Sequence, residues 1–268
     1  MKSLRKKISR IYSNLRGYQP VTICGQPFKV DIHHSKFWRG LESSKWEPET
    51  FDILKRYIKP DYSYCDIGAW IGPTVLYAAH RCKELICFEP DPVAYRYLCE
   101  NISLNNLKNV TSFSLALSDS TGIRSMASFG GDAGDSMTSL LDGGKDSTVI
   151  HALTMNWIEF IKLYQNKRFD FIKIDIEGGE FALLPAMKEY LLEHRPTVYL
   201  ATHAPFLARS ERYERMRAIA DVMSIYDTCL DHRMRQVEIA DLTNEKTLNH
   251  FHSYVFLDRA SEPIADIT

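Results

Sequence analysis

No CxxC pair occurs among the six cysteines, at positions 24, 65, 82, 87, 99 and 229, which removes the thiol spacing of redox motifs and of common zinc sites. They stand mostly in apolar strand or helix contexts, the pattern of reduced, buried thiols, and a cytoplasmic location is expected. No run of about 18 apolar residues is present and the N-terminus has no apolar signal core, so a soluble protein without a spanning helix is expected. Net charge is nearly absent, with 33 basic and 34 acidic side chains. Without an aromatic-basic stripe as well, no nucleic-acid partner is expected. Repeats and low-complexity tracts are missing too. What is left is a globular composition, 45% hydrophobic and 12% aromatic over 268 residues, enough for one or two domains.

The first sixteen residues contain no acid. Lys2, Arg5, Lys6, Lys7, Arg10 and Arg16 stand there among Leu4, Ile8, Ile11, Tyr12 and Leu15 at helical spacing. Two readings stay open: a solvated helix docked on the domain, or a basic amphipathic helix that touches an anionic membrane or a lipid-linked substrate. A boundary near residue 48 divides a basic N-terminal helix and extension (1–47), packed on the core, from the main domain (48–268).

From residue 50 onward, short apolar strands alternate with amphipathic helices, the order of an α/β fold whose parallel sheet is covered on both faces. "YSYCDIG" (62–68), "LICFEP" (85–90), "VTSFSLALSD" (110–119) and "FDFIKID" (169–175) read as four successive strands, "PTVYLATHAP" (196–205) as a fifth and "HFHSYVFLDRA" as a late one. Residues 128–148, rich in Gly, Ser and Asp, read as a loop or hairpin and as a candidate lid.

In such a sheet the ligand crevice lies beyond the carboxyl ends of the strands. Asp66 stands at the first tip, and Gly68, Ala69, Trp70 and Gly72 follow in the loop, where glycines let the backbone turn closely around a ligand. Glu89 ends the second strand, and its two carboxylate oxygens match the vicinal hydroxyls of a ribose. The loop pattern is D-x-G-x-x-x-G, without the G-x-G-x-x-G that holds a pyrophosphate. A cationic ligand with a ribose and no phosphate fits better, and S-adenosylmethionine is one. Ser118 and Asp119, at the third tip, are candidates to accept the adenine amine, although an acid there is as readily a helix cap.

The fourth strand carries "FIKIDIEGGE" (171–180). Lys173 and Asp175 share one face of it, and a buried lysine there needs a carboxylate partner, Asp175 or Asp66. Asp175 falls where a methyl acceptor would meet the sulfonium, and can orient it or take its proton. Lys173 is a direct participant or an ion-pair partner that orders the tips. Gly178 and Gly179 permit a sharp turn into a helix, where Glu177 and Glu180 suit the helix dipole. His203, after the fifth strand, is a candidate base. Asp175, Glu177 and His203 are also ligand types for a divalent ion, kept as an alternative to a metal-free site.

With those motifs in view, the sequence resembles the FkbM family of S-adenosylmethionine-dependent methyltransferases. "DIGAWIGPTVLYAA", "FEPDPVAYRYLCENISLNNLKNV", "LALSD" and above all "FIKIDIEGGE" carry the resemblance, over roughly residues 48–205. Two positions depart from the family's pattern: Trp70 replaces a usual asparagine, and "LLPAMKEYL" lacks a glycine commonly found after the last glutamate. The resemblance implies a class I methyltransferase, Rossmann-like three-layer sandwich with a mostly parallel seven-stranded sheet and an antiparallel late strand. It also implies O-methylation of a hydroxyl on a sugar, glycan or secondary metabolite. A catalytically silent cofactor-binding scaffold and an NAD(P)-dependent oxidoreductase are the rivals.

Overall fold

The computed structural model describes residues 15–128, 138–139 and 149–258. An antiparallel hairpin, β1 (Gln19–Ile23) and β2 (Gln26–Val30), is followed by helices α1 (Ser35–Glu42) and α2 (Pro48–Tyr57). Strand β3 (Ser63–Ile67), helix α3 (Pro73–Ala79), strand β4 (Glu84–Phe88), helix α4 (Pro92–Leu104) and strand β5 (Val110–Phe113) then alternate. A second group comprises β6 (Ala116–Ser118), β7 (Gly122–Ser128), β8 (Thr138–Ser139) and β9 (Val149–Asn156). Helix α5 (Trp157–Leu163), β10 (Phe171–Ile174), α6 (Glu180–His194), β11 (Thr197–Thr202), α7 (Arg209–Met223), β12 (Thr228–Asp231), α8 (Glu245–Asn249) and β13 (His252–Leu257) complete it.

Seven strands form one sheet in the order β12-β13-β11-β10-β3-β4-β5, parallel except that β13 runs antiparallel to both of its neighbours. This is the class I methyltransferase arrangement. The chain builds outward from β3 through β4 to β5, then returns to place β10 on the other side of β3. A crevice therefore opens beyond the carboxyl ends of β3 and β10, the topological switch point.

The period of two in the central strands divides the core into two layers. Cys65, Ile67, Ile172, Ile174, Val198 and Leu200 pack with α5, α6 and α7 on one face. Tyr64, Leu85, Phe171 and Val255 pack on the other with α2, α3, α4 and the N-terminal hairpin. Asp66 and Lys173 have the parity of this second face, and the register sets them directly opposite each other on β3 and β10.

Three differences from the sequence reading concern regular structure. The N-terminal segment holds a hairpin, closed by Cys24 (φ 47°) and Gly25 (φ 80°), two consecutive positive-φ residues suited to its tight turn. The alternation in "VTI" and "FKV" around that glycine was the available signal. The expected third strand, 110–119, is two: β5 closes the main sheet and β6 leaves to pair parallel with β9 in a four-stranded sheet. One apolar run does not reveal where a chain changes sheets. Strand β12, unforeseen, fills the sheet edge beside β13.

The N-terminal segment is tied to the domain by buried polar contacts. Asp31, fully buried, accepts from the Trp38 indole at 2.8 Å, while its backbone N–H donates to Asn101 of α4 at 2.8 Å. Asn101 in turn donates to the Ile71 carbonyl at 2.9 Å. The basic helix expected at the start of the chain and the loop expected over 128–148 lie outside the described residues, except that Ser128 and Thr138 face each other across β7 and β8. Among the described residues no helix is long and apolar enough to cross a membrane.

Candidate active site

A cavity of about 410 Å³ opens at the carboxyl ends of β3, β4, β10 and β11. At one end the loop after β3 turns under it. Gly68 has φ 89°, and a Cβ there would lie 1.8 Å from the backbone oxygen of Asp175, so only glycine lets this loop pass the end of β10. Trp70 also adopts a left-handed conformation, φ 48°. An asparagine, the usual residue of the FkbM pattern, tolerates that region better than a bulky aromatic. The Trp70 N–H donates to Glu89 Oε2 and the Asp91 N–H to Oε1, both at 2.8 Å. Burial pushes the Glu89 carboxyl up to about 7 against those two amide bonds. With each oxygen held by one amide, the carboxylate keeps a fixed orientation and spare lone pairs. Phe88 and Leu117 give this end apolar walls.

At the floor Lys173 is almost completely buried. It donates to Asp66 Oδ1 at 3.3 Å and to the Gly68 carbonyl at 3.2 Å, and pairs with Asp175 Oδ2 at 3.6 Å. Asp66 also accepts from the Thr74 hydroxyl at 2.6 Å. Burial by itself would lower the lysine's pKa, but the fields of Asp66, Asp175 and Glu47 outweigh it and the ammonium is retained. The expected lysine–carboxylate pairing thus involves both candidate partners.

The other end gathers acids around a histidine. His203 Nε2 lies 3.3 Å from Glu177 Oε2 and 3.6 Å from Asp175 Oδ1. Its Nδ1 is 3.2 Å from Glu180 Oε1, which also accepts the His203 backbone N–H at 2.7 Å. Glu180, fully buried at the start of α6, spans the two loops, since its Oε2 accepts from the Gly178 N–H at 2.8 Å. Burial opposes a charge on His203, yet Glu180, Asp175 and Glu177 together raise it to about 9. Glu177 is pushed up to about 7 by burial, partly offset by His203, with Asp175 and Glu180 adding to the rise. Glu47, brought in by the turn that starts α2, is pushed up to about 7 by burial and by Asp175.

The sequence comparison settles the family. The family model for the methyltransferase FkbM domain matches residues 66–227, more than half of the chain. The chain belongs to the FkbM methyltransferase family. Two curated proteins are similar over shorter stretches, both named tRNA (guanine(37)-N(1))-methyltransferase. One, from Saccharomyces cerevisiae, is 26% identical over 118 residues, 41% of this chain and 24% of that protein. The other, from Phytophthora infestans, is 28% identical over 127 residues, 43% of this chain and 30% of that protein. The matched stretches thus span less than a third of either relative. A solved structure of methyltransferase FkbM from Methylobacillus flagellatus is 15% identical, with a TM-score of 0.46 over 73% of this chain and 43% of that one.

Within the FkbM domain the expected site residues separate into three sets. Gly68, Ala69, Trp70, Glu89, Lys173, Asp175, Glu177 and His203 line one cavity. Asp66 and Gly72 do not: Asp66 is sealed under the floor, and Gly72 (φ 92°) makes the turn into α3 behind it. Ser118 and Asp119 are also outside the lining, which takes Leu115, Ala116 and Leu117 instead. Ser118 donates to Asp119 at 3.1 Å, and Asp119 pairs with Arg124 on the surface at 2.8 Å. His203 stands where the reading put it, at the exit of β11, among three carboxylates that favour its charged form. Sequence reasoning missed Trp46, Glu47, Tyr199 and Phe251, which also line the cavity. Nothing in their local sequence marks them, since the chain brings them together from segments far apart.

Proposed function

We propose that this methyltransferase is S-adenosylmethionine-dependent and transfers the methyl group to a hydroxyl of a sugar, glycan or secondary metabolite. The observation that carries the reading is Glu89 and Asp175 lining one cavity, at the tips of β4 and β10 on either side of β3. The residues at the Glu89 end fit the cofactor's chemistry: an oriented carboxylate for the ribose diol, the walls of Phe88 and Leu117 for the adenine, and no cradle of glycine amides for a diphosphate. When bound, S-adenosylmethionine supplies an electrophilic methyl on a sulfonium, whose C–S electron pair leaves with sulfur as a neutral thioether.

This chain's residues then position the acceptor. Asp175, anchored by Lys173, accepts the hydroxyl's hydrogen bond and aims its oxygen toward the cofactor end. The hydroxyl proton passes to the Asp175 carboxylate as the new O–C bond forms. His203, held by Glu180, keeps Asp175 and Glu177 together. Holding the reactants in line in a site that excludes water supplies on the order of 7–11 kcal/mol.

Calorimetry with S-adenosylhomocysteine and with NAD tests the cofactor: binding of the former, lost in Glu89→Ala, is expected. Binding of NAD alone would install the oxidoreductase reading. Mass spectrometry after incubation with sugar alcohols and the labelled cofactor tests the acceptor, and no methyl transfer to any acceptor would favour the silent scaffold. A second reading, an RNA acceptor, draws support from the two tRNA methyltransferases. Label incorporated into tRNA and not into sugars would replace the hydroxyl acceptor by a base.

A further inference from the structure

We propose that Asp175, Glu177 and His203 form a binding site for a divalent cation at the acceptor end of the cavity. One ligand atom from each, two carboxylate oxygens and an imidazole nitrogen, lies within 4.8 Å of the others. His203 Nε2 lies 3.3 Å from Glu177 Oε2 and 3.6 Å from Asp175 Oδ1, within the roughly 3–4 Å separations that metal–ligand bonds of about 2.0–2.2 Å give in one coordination sphere.

The histidine's surroundings distinguish this trio from a chance gathering of acids. A ligating histidine characteristically gives its second ring nitrogen to a carboxylate or carbonyl, which fixes the tautomer and aims the ligating nitrogen. Here Glu180 occupies that second position. It is fully buried, takes Nδ1 and the His203 backbone N–H on a single oxygen, and leaves Nε2 directed at Asp175 and Glu177. Glu180 is itself held by the Gly178 N–H, so the turn that carries Glu177 and the strand end that carries His203 are locked to one carboxylate. Glu177 has φ 51°, a conformation that a non-glycine residue adopts at a cost and that brings its side chain back over the cavity.

Charge points the same way. Around the trio stand two further acids, the buried Glu180 and Glu47, which lines the same cavity, while Lys173 is shared among Asp66, the Gly68 carbonyl and Asp175. Two oxygens and one imidazole suit Mn²⁺ better than the harder Mg²⁺, and three protein ligands leave positions open for acceptor oxygens. The ion's role, holding and acidifying the acceptor hydroxyl, rests on the proposed O-methylation. Its binding does not.

Electron paramagnetic resonance of Mn²⁺ alone, titrated into the full chain, tests the site. Loss of the free-ion signal at about one equivalent is expected, weakened at least tenfold in Glu177→Gln and His203→Ala and about tenfold in Glu180→Gln. A signal unchanged by wild type, or equal binding by wild type and the folded variants, overturns the proposal. Thermal melts show which variants fold, and the isosteric Glu177→Gln decides the matter if His203→Ala does not fold. Ion binding without S-adenosylhomocysteine binding would defeat the methyl-transfer reading alone, and the reverse would defeat the ion site alone.

Discussion

The two ends of the cavity are built differently. The polar part of the Glu89 end comes from one continuous βαβ stretch, with the loop Gly68–Trp70 hydrogen-bonded to the end of β4 through the Phe88 carbonyl and the Glu89 carboxylate, and Leu117 of β6 adds an apolar wall. The Asp175 end draws on Glu47, the turn after β10, Tyr199 and His203 of the next strand and its exit, and Phe251 beside β13. Contacts between neighbours in sequence hold the first. The second is held by the Glu180 and Lys173 side chains, which bridge separate elements. Under the proposed function, a local motif would preserve the cofactor side while distant segments reshape the acceptor side.

The sharpest way to break this comparison is Asp175→Ala. Methyl transfer should fall about 10²–10⁴-fold, the range for loss of a positioned proton-transfer group, while calorimetry finds S-adenosylhomocysteine affinity within a few-fold of wild type. A comparable loss of cofactor affinity would show that the two ends are one unit. Next comes Lys173→Met, which strands Asp66 without its buried partner. Denaturant unfolding should register a loss of about 3–5 kcal/mol, and a loss below about 1 kcal/mol would refute the bridge between ends.

Gly68→Ala adds a Cβ at a left-handed residue and against the Asp175 backbone. A loss of about 2–4 kcal/mol in the same assay is expected, because neither backbone can move away without unpairing β3 from β10. The smallest effect belongs to Glu89 and sharpens the contrast through pH. Its folded-state carboxyl is held near 7 rather than the usual 4.5, so its contribution to stability is fully present below about 4.5 and is lost as pH rises through about 7. The ionised form is the better acceptor for a diol. Cofactor affinity should therefore tighten a few-fold between about pH 6 and 8, and this dependence should vanish in Glu89→Gln.

The alternation of apolar strands and helices made the α/β sheet legible, and the tip positions of Glu89 and Asp175 followed from where those strands end. Asp66 looked equally exposed to ligand in the sequence. Its register opposite Lys173 turns it into the lysine's counterion instead. Ser118 was misplaced because the run 110–119 gives no sign that its second half joins another sheet. His203 was placed at the right tip, but the three acids that surround it come from the neighbouring turn and helix and were not legible as its partners.

The sequence by itself determined the order of strands and helices, the glycine-permitted turn under the cavity and the acids at two strand tips, because each depends on spacing along a few residues. Only the tertiary structure decided which acid faces the cavity and which supports Lys173, that Glu47 reaches the site, and that Glu180 orients His203. Those outcomes depend on register and on the fields of side chains that meet across separate elements, and burial makes such fields strong while the linear order of residues carries no trace of them.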